Sequence, residues 1–229
     1  MAVVEIKIAL SELDLSILFD PTRKGKSGQD VIKRKAKELL AVAERVVRPV
    51  LLYEICTPYF KEGALTLSVD DRTIAFRRHD GLSDFATASE VFVGLVTLGR
   101  AIEEEIQRYN SMNEVLASYI LSEISVAMMG QVIKKIKNII LSVARQRYFG
   151  LSSVHIPGST PGLPLSVQPL ILELLGGENH GVDANERHML KPFYSVTFMV
   201  GMGPNYANDE LFPKCSGCSR MDTCAWRSK

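Results

Sequence analysis

The chain has 229 residues, 46% of them hydrophobic and 23% charged, which suits one large domain or two small ones around a real core. With 27 basic against 26 acidic residues and a net charge of +1, it is neither a globally basic nucleic-acid binder nor a solvated disordered polymer. No uninterrupted apolar run reaches the roughly 20 residues of a membrane span, and Lys7 breaks the opening stretch MAVVEIKIAL where a signal peptide would run on. The expectation is a cytoplasmic protein with no nucleic-acid or membrane partner.

Val4, Ile6 and Ile8 alternate with Glu5 and Lys7, which predicts an opening strand. Residues 20–30, rich in Pro, Gly and charge, read as a loop. A phosphate loop there would need a Gly five residues before Gly25, and Asp20 occupies that position instead. Asp30 is placed to cap a helix over 31–48 that buries Ile32, Leu39, Leu40 and Ala43 and turns Lys33, Arg34, Lys35 and Lys37 to solvent. From 50 to 78 the pattern is β: Leu65, Leu67 and Val69 alternate with polar residues, and Asp70-Asp71 makes a turn. The apolar run 91–97 is a strand buried on both faces. In the helix over 100–109, Glu103, Glu104 and Glu105 read as surface residues that complement its dipole.

The longest helix spans 113–147. Its first half is nearly all small or apolar, and its second carries a stripe of Met129, Val132, Ile133, Ile136, Ile140 and Val143. Glu123 stands inside the apolar half, so it sits either at an exposed edge or at a site. The Gly/Pro/Ser-rich loop over 150–165 has the length of a functional loop. A helix over 166–175, a short helix near 183–188 and a strand over 195–200 complete the body. Strands and helices mix without strict alternation, which predicts an α+β fold: an antiparallel twisted sheet flanked by helices, in a single domain over 1–229 with 201–229 as a tail.

That tail holds the densest chemistry. Cys215 and Cys218 have the spacing that lets two thiolates meet one metal, and Cys224 can add a third ligand. A structural zinc needs a fourth, for which Cys56, His180, His188, Asp222 or a second chain in a homodimer stand open; an iron–sulfur cluster, thiol–disulfide redox and incidental cysteines are the other readings.

Several blocks then occur in order. These are Thr97-Leu98-Gly99 with the acidic helix and the long helix after it, Pro157-Gly158, Pro164-Leu165 with Gln168, Gly181-Val182, Met189-Leu190, and Pro192-x-x-Ser195-Val196. From about residue 30 onward the chain resembles the activation domain of vitamin B12-dependent methionine synthase, here as a stand-alone chain. The resemblance implies that domain's fold and an extended, shallow groove for S-adenosylmethionine. It also implies docking on a corrinoid (cobalamin) protein, and a flavodoxin or ferredoxin as electron donor. Mapped onto this sequence, the loop 154–168 forms the groove, with Glu123, His155, Pro157, Gly158 and Ser159 as cofactor-binding residues. Val154 and Ser159 occupy the positions where the family carries an Arg and a Tyr. The cysteine tail lies outside the resemblance. A complete methionine synthase is excluded, since 229 residues cannot also house homocysteine, folate and cobalamin modules. The alternative is a non-catalytic module that docks on a corrinoid protein, with a structural zinc and no S-adenosylmethionine.

Overall fold

The computed structural model describes residues 1–13, 15, 26–77, 80–206 and 211. Strand β1 (Ala2–Glu5) is followed by helix α1 (Lys26–Val46) and then by β2 (Val50–Lys61), β3 (Ala64–Val69), β4 (Arg72–Phe76) and β5 (Glu90–Thr97). Helices α2 (Ala101–Ser111) and α3 (Val115–Gln146) lead to β6 (Gly150–Leu151) and α4 (Gln168–Leu174). The chain closes with β7 (Asp183–Ala184), β8 (Leu190–Lys191) and β9 (Ser195–Gly203). The main sheet runs β4-β3-β2-β5-β9-β6, with β1 also on β2, and its ladders are antiparallel. The expected α+β architecture, an antiparallel sheet flanked by helices, is the one observed.

Strand β5 shows why the sheet has two covered faces. It pairs with β2 on one side and β9 on the other, and seven of its eight residues are buried. Phe92 and Val96 point into a core shared with α1, α2 and α3, whereas Val91, Val93 and Leu95 point into a second core under α4 and the helical turn Asp80–Thr87. A strand buried on both faces has no polar side to show, and the sequence accordingly reads as a continuous apolar run.

Helix α3 is the spine of the first core. Its 32 residues extend about 48 Å at 1.5 Å each. Ile120, Leu121, Ile124, Met128, Val132, Ile136 and Ile140 return at helical spacing to the buried side. By length and composition this helix also passes for a membrane span; here 56% of its most apolar window is buried against the rest of the fold. Gln131 is buried on the same helix and holds the N-terminal segment, accepting from the Ala9 N–H at 2.7 Å and donating to its C=O at 2.9 Å.

Several expectations need correction. Helix α1 begins at Lys26, so Asp30 is an interior residue rather than a cap. The helix expected near 183–188 is instead a hairpin, β7 pairing with β8. Asn185 decides this locally: its Oδ1 accepts from the N–H groups of Arg187 and Met189, and a turn closed by a side chain competes with a helix. Strand β9 also runs on to Gly203, into the region read as tail.

Candidate functional site

A groove forms where the edge of β9 meets α3. At that edge His155 and Met199 exchange both backbone hydrogen bonds at 2.9 Å. The next residue that would donate, toward Thr197, is Pro157, which has no N–H. Pairing stops there and the chain turns. Gly158 takes φ 79°, and its N–H donates to the Leu163 carbonyl at 2.8 Å. The Thr160 N–H donates to the Ile156 carbonyl, and the Ile156 N–H to Thr160 Oγ1, both at 2.9 Å. A Cβ on Gly158 would lie 2.6 Å from Leu165 Cδ2, so both the backbone and the space require glycine.

Beside the ended ladder, Val154, Ile156 and Val196 face Ile133, Ile136 and Ile140 of α3 across a narrow apolar depression. Toward the start of α3 the groove becomes polar. The Tyr194 hydroxyl, at the entry to β9, lies beside Ser122 and Ser125 on α3. Burial pushes its pKa up; the two serines oppose that, and the Glu123 and Glu103 carboxylates add to it. Glu123 Oε2 is buried with no hydrogen-bond partner among the described residues, and burial raises the carboxyl pKa. Glu103 Oε2 accepts the Phe193 N–H at 2.9 Å and so pins the approach to β9 against α2. The Phe193 ring stays exposed, as does Tyr119 one helical turn before Glu123.

Helical rise places Glu123 and Ile133 about 15 Å apart along α3. An apolar depression of about 40 Å³ thus lies along the second half of α3, and carboxylates with aromatic rings lie along its first half. Carboxylates and the faces of aromatic rings attract cations, most strongly where water is partly excluded.

The structure distributes the expected site residues unevenly. Glu123 lies at the polar end. Pro157 is buried where the ladder stops, and Gly158 and Ser159 are exposed in the turn beyond it. His155 belongs elsewhere: it is 4% exposed, its ring sits 4.7 Å from that of Phe85, and it opposes Met199 of the second core. The sheet thus separates His155 from Glu123. Asp84 Oδ2 is 3.2 Å from His155 Nε2, yet neither ring nitrogen has a well-formed hydrogen bond. Burial lowers the imidazole pKa, against the pull of Asp84.

Cys215, Cys218 and Cys224 lie outside the described residues, as does Asp222. Among the described residues no group of three or more His, Cys, Asp or Glu side chains is placed to hold a metal. Cys56 is buried in β2, its thiol pushed up to about 12 chiefly by burial.

Sequence reasoning missed Tyr194, Phe193 and Glu103. Two bulky aromatics directly after Pro192 and before a buried strand were the available signal. Glu103 carried none, since its role depends on a backbone N–H brought to it by the fold.

No protein-family model matches the chain, and no curated protein matches it. Among solved structures it is similar to one described as the crystal structure of the MetH reactivation domain bound to AdoHcy. The two share 14% identity with a TM-score of 0.68 over 91% of this chain and 80% of the other. The likeness establishes a shared fold.

Proposed function

We propose that the chain is an activation-domain-like protein that binds an S-adenosylmethionine-type sulfonium in the α3–β9 groove and presents its methyl group to a corrinoid carried by a partner protein. The observation that carries this reading is Glu123: a partly buried carboxylate whose Oε2 has no partner among the described residues, at the end of an apolar groove beside exposed aromatic rings. A sulfonium or ammonium group supplies the missing counter-charge. That the fold is shared with a domain bound to AdoHcy supports the same reading.

The protein's part in such a reaction is positional. Glu123 and Glu103 hold the cationic end, while the turn at Pro157–Ser159 takes the other end of the ligand. A flavodoxin- or ferredoxin-type donor would supply the electron that reduces the partner's cobalt, and the bound ligand would supply the methyl group, leaving as a neutral thioether. Cys215, Cys218 and Cys224 hold a zinc or an iron–sulfur cluster in the tail.

Titrating S-adenosylmethionine into the reduced, anaerobic protein by calorimetry tests the reading. Saturable binding that Glu123→Gln weakens at least about tenfold, roughly 1.4 kcal/mol, supports it. Absence of binding in the folded wild type overturns it in favour of a module that only docks on a corrinoid protein.

A further inference from the structure

Successive residues before Pro157 serve opposite faces of the sheet. Val154 and Ile156 line the apolar depression beside α3, and His155 between them points the other way, to Phe85 of the second core. Whatever holds His155 therefore also sets where Val154 and Ile156 stand.

The helical turn Asp80–Thr87 does the holding. The His155 ring lies 4.7 Å from that of Phe85, and its Nε2 lies 3.2 Å from Asp84 Oδ2. The same turn meets the loop again beyond Ser159, where the Gly81 N–H donates to the Gly162 carbonyl at 3.3 Å. A Cβ on Gly81 would fall 2.7 Å from the Pro161 carbonyl oxygen, so the two backbones touch. The turn at Pro157–Ser159 is thus bracketed by two contacts, at His155 and at Gly162, and both are made by Asp80–Thr87.

His155 is 4% exposed, whereas the Asp84 side chain is 56% exposed. Among the described residues Asp84 supplies the charge that acts on the ring, and Met199, opposite it on β9, is uncharged. Tyr206, whose hydroxyl donates to the Asp84 carbonyl, has its pKa raised chiefly by burial and stays neutral. So does Cys56 of the same core, its thiol pushed up to about 12. Burial favours the neutral imidazole, against Asp84 and the Gly81 backbone. An imidazolium here has given up water for one half-exposed carboxylate, and opening to solvent relieves it.

We propose that His155 is a proton-operated latch on the groove: the neutral ring locks the turn Asp80–Thr87 onto the segment 154–163, and protonation releases it, so that acid loosens the wall formed by Val154 and Ile156. The bearing on ligand binding rests on the proposed groove; the latch itself does not. In the closed state the imidazole pKa is lowered, and in the open state it returns to about 6.5. Opening therefore grows as pH falls through 6.5, by at most about tenfold per pH unit, and levels off below the closed-state value.

Amide hydrogen exchange of the whole chain, without ligand, reads the latch between pH 7.5 and 5.5, each rate being corrected for its intrinsic pH dependence. The Gly81 and Gly158 amides should lose protection at least about fivefold over this range, and the loss should be insensitive to low urea, as local opening is. Val69 and Arg72, where the β3–β4 hairpin turns, serve as the reference and should not change. His155→Gln should abolish the loss. Asp84→Asn removes the charge that favours the imidazolium, so its loss of protection should continue to lower pH than in wild type. NMR titration of the His155 ring in wild type should track the loss, which keeps the test decisive if His155→Gln does not fold. A ring that titrates while Gly81 and Gly158 keep their protection overturns the latch, as does a loss that persists in folded His155→Gln or appears only with urea-sensitive global unfolding. Calorimetry of S-adenosylmethionine at pH 7.5 reads the groove separately: absence of binding there overturns the proposed function and leaves the latch result standing.

Discussion

Glu123 carries opposite consequences for stability and for binding. Burial raises its pKa, so the stability it contributes is full below its ordinary value of 4.5 and is lost as pH rises through the folded-state value. At pH 7.5 the ionised carboxylate therefore works against the folded, unliganded protein. Glu123→Gln should melt at a higher temperature than wild type at pH 7.5, and the gap should close as pH falls to 4, while ligand affinity drops. A variant that melts lower at pH 7.5 would show that Glu123 has a stabilising partner in the free protein. His155 has the reverse sign. Its pKa is lowered, so its contribution is present above its ordinary value of 6.5 and is lost as pH falls through the folded-state value. Urea midpoints should accordingly decline on acidification below about pH 6.5, and His155→Gln should flatten that decline; an equal slope in the variant would assign the acid sensitivity to other groups.

Among the elements, the end of the β9 ladder and the helix α3 set the groove's two walls. The turn that opens the groove depends on Gly158 at φ 79° packed under Leu165. Gly158→Ala should cost about 1–2 kcal/mol for the left-handed backbone alone, with more for the overlap; denaturant unfolding measures it, and an unchanged midpoint would mean that the turn relaxes freely. On α3, Ile124 is fully buried one residue after Glu123. Ile124→Ala should cost about 2–5 kcal/mol and shift the helix on which the carboxylate stands. A much smaller loss would mean that this part of the core can collapse around the cavity.

The helical walls were legible in the sequence because their residues repeat at helical spacing, as from Val132 to Ile140. The loop was legible as irregular backbone from its Gly and Pro content. The carboxylate–tyrosine end was not, because Tyr194 meets Ser122 and Ser125 only after β9 has docked beside β5. The hairpin at Asp183–Lys191 was hidden for a related reason: Asn185 acts through its own side chain, and hydrophobic periodicity carries no trace of that.

For the molecule as a whole, the order of the blocks from Thr97 to Val196 announced an architecture that no short motif specified. The same blocks gave no guide to which face each residue would occupy. His155 and Glu123 were expected around one ligand, and the sheet runs between them, since a one-residue step along a strand changes faces. Two features define the molecule: a fold shared with a reactivation domain, and on α3 a carboxylate oxygen buried with no partner among the described residues. The most direct check is calorimetric titration of S-adenosylmethionine into the anaerobic, reduced protein, with Glu123→Gln alongside. The account predicts saturable binding near the micromolar range, about −8 kcal/mol, weakened in the variant. Folded wild-type protein that gives no binding heat at any of several temperatures would contradict it.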